Sequence, residues 1–135
     1  MNRAVPFAVL ALALAGCGTA SQSSSVDNFS DPNEKAVAQK VEDLEQAGKR
    51  NKPDDICSDI LSAKVVSDLD SAGTDCATEM KKAIEDANNF DLDVTKVTVN
   101  GDTATATVRR GSDGPSEEMQ FAREKGQWRA TALSG

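Results

Sequence analysis

The residues of this chain able to do chemistry are three cysteines and several closely spaced carboxylates, and two absences limit them. The 135 residues contain no His and no Tyr. The usual general base near neutral pH is therefore missing, and so is a phenolic donor. Cys57 and Cys76 have no imidazole to take a proton from a thiol, so neither has the base that nucleophilic catalysis needs. Asp91 or Asp93 would serve as a lone base if buried, but both fall at a helix-to-strand junction, where a solvated turn Asp is the commoner case. The expectation is a non-catalytic protein with no cofactor; a small-molecule enzyme using one carboxylate is the alternative. Two acidic patterns bear on metals. Asp68-Leu-Asp70-Ser-Ala72-Gly73 with Glu79 at the twelfth place partly matches a calcium-binding loop, which wants oxygen ligands at places 1, 3, 5 and 12 and Gly at 6. Ala72 supplies no ligand at the fifth place, and Cys76 falls inside the loop. A helix end followed by an ordinary turn is the simpler expectation. Asp54, Asp55 and Asp59 likewise read as a solvated first helical turn, so no metal site is expected.

Cys17 has a different setting. It follows Leu14, Ala15 and Gly16 and ends an apolar run from Ala4 to Ala15 that begins after Arg3. A basic residue, a short apolar stretch and a small-residue cleavage site make a secretory signal, and the stretch falls short of the about 20 residues a membrane span needs. Small residues let the backbone enter a protease site, and only a thiol makes a thioether. Leu14-Ala15-Gly16-Cys17 resembles the lipobox of bacterial lipoproteins. The resemblance implies a diacylglyceryl group on the Cys17 thiol and cleavage between Gly16 and Cys17. It places the protein on the extracytoplasmic face of the cell membrane, held by acyl chains. One chain holds a protein marginally, and two or three hold it stably.

Export changes the reading of the other two cysteines. An even pair in an exported chain reads as one disulfide, Cys57–Cys76, worth about 3 kcal/mol in the loop-entropy picture. Two buried free thiols are the alternative. A zinc site is disfavoured, because the spacing is wrong and there is no His.

With residues 1–16 removed as signal, 17–30 reads as the lipidated Cys and a flexible Ser-rich tether, and 31–135 as one α+β domain of ordinary size. From Asp31 to Asp91 there are 8 basic and 15 acidic residues, and from Leu92 onward 6 of each. A chain without a basic face has no means to neutralise phosphates, which excludes nucleic acid as a partner.

The first half carries helical periodicity. Asp31 or Ser30 caps, Pro32 suits the first turn, Val37, Val41 and Leu44 form one stripe, and Gly48 is the expected stop. Pro53 opens a short helix with Ile56, Cys57, Ile60 and Leu61 inward. Ser62 caps a further turn, and a last helix runs from about Cys76 to Asn88. The second half reads as strands. Asn100-Gly101 predicts a two-residue hairpin turn that sets Val97 against Ala104 and Thr95 against Ala106. Lys125-Gly126 marks another tight turn. If it has two residues, Phe121 and Trp128 share a face; if three with a bulge, they do not. Trp128, Ala130 and Ala132 alternate along the last strand, with Trp128 expected against the helices.

Helices followed by about four antiparallel strands make an α+β fold. The long first helix, the Cys57–Cys76 pair, the hairpin from Val97 to Ala106 and the closing hairpin from Phe121 to Arg129 resemble the small exported domains of the nuclear-transport-factor-two-like group. The resemblance implies a curved sheet wrapped on a long helix as a cone; a cystatin-like arrangement is the alternative. Enzymes of that group line the cone with an Asp base and Tyr or His partners, and no such set is present here. What is left is a tethered module holding a small apolar ligand, or an envelope protein that meets another protein. Ala104, Ala106, Ala130 and Ala132 would either leave room for a ligand or let a helix pack close.

Overall fold

The computed structural model describes residues 25–132 of the chain. Four helical segments precede a four-stranded antiparallel meander of order β1-β2-β3-β4, so the architecture is α+β. Cys17 and Gly16, the expected lipidation and cleavage positions, lie outside the described residues. Within the stretch read as tether, Ser25–Asn28 forms a 3-10 turn. Ser25 is buried there, and Val26 and Phe29 pack on the core.

Helix α1 spans Pro32–Lys49. Its start is the one the sequence predicts: the Asp31 carboxylate accepts from the amides of Asn33 (2.8 Å) and Glu34 (3.2 Å), with Pro32 at the first position. That cap typically contributes about 1 kcal/mol. Val37, Ala38 and Val41 are fully buried. Its end differs from expectation. Gly48 is inside the helix, and the left-handed residue is Asn51 (φ 53°). The Asn51 amide donates to Gly48 O and the Lys52 amide to Ala47 O, closing the helix as a Schellman motif. Gly48 is needed instead for a close approach, since a Cβ there would sit 2.3 Å from Cδ1 of Phe90. Gly48→Ala would gain about 1 kcal/mol of helix propensity but must displace the Phe90 ring at a cost of about 1–3 kcal/mol. A net loss of about 1 kcal/mol is expected, seen as a Tm lower by roughly 4–5 °C; an unchanged or higher Tm would mean that the ring moves aside freely.

Helix α2, Pro53–Asp55, runs into a π-helical turn over Ile56–Ile60. The Leu61 amide donates to Ile56 O across this widened turn. The wider turn lets Ile60 and Leu61, adjacent in sequence, both go inward beside Ile56, each 2 % exposed. Helix α3, Ala63–Ser71, is capped by buried Ser62, whose hydroxyl accepts from the Val65 amide at 3.2 Å. Helix α4, Cys76–Asp86, is capped by Asp75 and stops at Ala87, where the backbone turns extended, short of the expected Asn88.

The strands are β1 (Leu92–Asn100), β2 (Thr103–Arg110), β3 (Ser116–Glu124) and β4 (Gln127–Ala132). The first hairpin turns at Gly101-Asp102, one residue later than expected. Asn100 pairs with Thr103, Val99 with Ala104 and Val97 with Ala106. Gly101 (φ 62°) takes the first central position of the turn, where a type II′ turn wants glycine. This shifts the pairing by two residues, an even number, so Val97, Ala104 and Ala106 still share the buried face. Thr95 does not face Ala106. It is the extra residue of a bulge between Val94 and Lys96, and that bulge is what brings both Val94 and Val97 to the buried face. The second tight turn has two residues, Lys125 (φ 51°) and Gly126 (φ 79°). Arg123 therefore pairs with Trp128, and Trp128 shares a face with Phe121.

Helix α1 lies across this inner face against β1, β2 and β4. Trp128 is 4 % exposed in the core, with the Arg123 guanidinium 4.7 Å above its ring centre. Arg123 also reaches Asn33 of α1 at 2.7 Å, tying the last hairpin to the helix start. Ala104, Ala106 and Ala130 are buried under α1, so these small residues serve close packing. Ala132 departs from the expected alternation. The β3–β4 register slips between Gln120 and Phe121, pairing Ala132 with Gln120 and leaving it exposed. The free edge of β4 is covered by the chain before α3: Leu61 bridges Ala130, and the Ser62 amide donates to Ala130 O at 2.9 Å.

Candidate functional site

Cys57 and Cys76 are joined by a disulfide, Cα to Cα 6.2 Å. It ties the π-helical turn to the first residue of α4. Cys76 is the only buried residue of that helix. The disulfide thus positions α4, whose apolar side (Met80, Ala83, Ile84) faces the sheet across a gap.

An apolar pocket of about 280 Å³ lies between α4 and the sheet. Buried Ile56, Val108 and Met119 form its floor. Met80, Ala83 and Ile84 of α4, with Ala87 just past its end, make one wall; Leu44 of α1, Phe90 and Leu92 make the other. The Phe90 ring that rests on Gly48 is therefore also a pocket wall. Arg110 and Glu117 complete the lining, with Arg110 Nε 3.3 Å from Glu117 Oε2. Their side chains are 45 % and 34 % exposed, so the charged pair sits at the mouth. The alternation of β2 and β3 puts both on the inner face: Arg110 follows Ala104, Ala106 and Val108, and Glu117 precedes Met119 and Phe121. Those two charges, set at one end of an inner face whose third charge, Arg123, lies at the other end over Trp128, were the sequence signal for this site.

A second, polar groove of about 500 Å³ runs beside it, with Leu92 common to both. It contains Asp91 and Asp93, the carboxylates singled out as lone bases. Neither is buried. Asp91 is 66 % exposed and 2.8 Å from Lys49 Nζ. Asp93 is 46 % exposed and 2.7 Å from Arg109 Nη2. Asp91 first, then Glu45, hold the Lys49 ammonium above its ordinary value through hydrogen bonds. The other groove carboxylates stitch the chain together: Glu45 accepts from the Leu92 amide at 2.9 Å, and Glu42 from the Val26 amide at 3.4 Å.

The calcium-like pattern is resolved into helix ends. Asp68 and Asp70 lie in α3, with Asp68 Oδ2 2.6 Å from Lys64 Nζ. Gly73 (φ 81°) makes the turn after it, Asp75 caps α4 through the Thr78 amide at 3.0 Å, and Glu79 stands in the next helix. Asp54, Asp55 and Asp59 are exposed on α2 and the π-helical turn. Among the described residues no three acidic or thiol groups converge to hold a metal, and no helix is long and apolar enough to cross a membrane.

No family model, no curated protein and no solved structure matches this chain.

Proposed function

We propose that this chain is a bacterial lipoprotein, held at the extracytoplasmic face of the cell membrane through acyl chains on Cys17, whose domain is a non-catalytic binding module for a small apolar ligand. The observation that carries the binding reading is the pocket under α4, with its apolar floor and walls and its charged mouth. Concave apolar sites with a few convergent polar groups are where small ligands bind. The anchor rests on Leu14-Ala15-Gly16-Cys17. The disulfide supports it, because such bonds persist outside the reducing cytosol. From Cys17 to Ser25 is eight residues, so the domain would stay within about 28 Å of its anchor at full extension. A long helix across a bulged four-stranded sheet, with a pocket at one end, supports the nuclear-transport-factor-two-like cone. The lone-carboxylate enzyme has less behind it, since Asp91 and Asp93 are matched with cations in the polar groove.

The volume corresponds to about nine heavy atoms at the roughly 30 Å³ each that a water occupies. Octanol is therefore a suitable probe. At about 0.5 kcal/mol per heavy atom its Kd should be about 0.5 mM. Titrated into the full-length chain and followed by NMR, it should shift signals of α4, Leu92, Val108 and Met119 and leave those under α1 unmoved. Ala83→Phe, which puts a ring into the pocket from an exposed helix position, should weaken octanol at least tenfold without loss of fold. Shifts scattered over the surface, or none, would remove the binding reading.

A further inference from the structure

The mouth of the pocket narrows the class of ligand, given that the pocket is a binding site at all. Among the described residues the Arg110 side chain makes one polar contact, from Nε to Glu117 Oε2. Its terminal nitrogens carry no protein partner among the described residues. A guanidinium is a planar fork of five donors, and either its Nε–Nη2 edge or its outer Nη1–Nη2 edge can receive a carboxylate in two parallel hydrogen bonds. Here Glu117 occupies the Nε side and leaves that outer edge open. Beneath it there is no other charge: Val108 and Met119 continue the same two strands inward, and Ile84 and Met80 face them from α4. The site is polar at one end and apolar along its depth, as an amphiphile is.

We infer that the pocket takes a medium-chain monocarboxylate, with its carboxylate on the open edge of Arg110 and its alkyl chain running down to Ile56 and Met119. Glu117 holds the guanidinium at the rim and competes with the ligand for its charge. Hydrogen bonds between ionised partners are the strong ones, and the pair is half-exposed, so the gain over a neutral head is moderate.

Octanoate, octanol and octylamine, titrated at pH 7 into the full-length chain, separate the terms. Octanoate should bind about tenfold more tightly than octanol, and octylamine no more tightly than octanol. Arg110→Met should bring octanoate down to the octanol level while changing octanol less than threefold, and circular dichroism should show the fold intact. Glu117→Gln, which removes the competing carboxylate, should strengthen octanoate severalfold. Equal binding of octanoate and octanol, or preference for octylamine, would overturn this assignment and leave the pocket standing. Failure of all three probes would take the pocket reading with it. Should Arg110→Met unfold the chain, Glu117→Gln still decides: an unchanged or weaker octanoate affinity overturns the assignment.

Discussion

Replacing Cys57 and Cys76 together by Ala is expected to cost about 3 kcal/mol of stability and to loosen one helix far more than the rest. The bond closes a separation of 19 residues that includes α3 and the loop after it. Without the bond the unfolded chain regains that freedom. The folded state also loses specifically, because α4 rests on α2, the π-helical turn and α3 and not closely on the sheet. Met80 and Ile84 are only half-buried, and Cys76 is its one buried residue. Strands β1 to β4 and α1 supply most of the other members of the core to which Cys76 belongs. For a domain of this size the loss is a fall in Tm of roughly 10–15 °C. Amide exchange should rise most in Cys76–Asp86 and least in β2 and β3, since regions of lower local stability open first. Because α4 is a pocket wall, octanol affinity should fall as well. A double variant that melts within about 2 °C of the parent, with α4 as protected as before, would show that packing alone positions the helix.

How far the chain can be read from its sequence depends on whether a feature is local. The start of α1 is local: Asp31, Pro32 and the Val37–Val41 spacing determine it within one turn. The Lys125-Gly126 turn is local too, and what decides its length is that Lys125 accepts a positive φ. Gly48 is not local. Glycine near a helix end signals a stop, but here the glycine answers to Phe90, more than forty residues on, and Asn51 takes the cap. Ala132 fails for a related reason. Alternation assumes an unbroken ladder, and the slip beside Gln120 depends on the partner strand. The hairpin register was displaced by two, yet its faces survived, because faces depend only on parity. The pocket is the least local feature. It arises where α4, pinned at Cys76, stands off the sheet, and no residue of α4 announces that gap. Its mouth was nevertheless legible, since Arg110 and Glu117 interrupt the inward face at one end of two strands, while the third inward charge, Arg123, is taken up at the other end over Trp128.

Cys17→Ala is expected to abolish acyl anchoring outright and to leave the leader uncut, the largest effect of any single change proposed for this chain. Alanine offers no thiol, so no thioether forms and the step that precedes cleavage cannot occur. The outcome follows from anchoring energetics. Transfer of each buried CH₂ contributes about 0.8 kcal/mol, and two or three acyl chains make detachment negligible. The domain itself supplies no substitute: its helical half is acidic, which gives no attraction to an anionic bilayer. Its apolar side chains are spent in the core and in a pocket too small to act as a membrane-binding face. The variant should incorporate no labelled fatty acid, where the parent incorporates it. It should also keep residues 1–16, giving a heavier chain by mass spectrometry. Cys57→Ala with Cys76→Ala must leave labelling unchanged, which separates the anchor from the fold. If the Cys17→Ala protein stays with the membrane after high-salt washing and is cut to the same mass as the parent, the lipid anchor is not what holds this domain at the cell surface, and the Leu14-Ala15-Gly16 stretch belongs to an ordinary secretory signal.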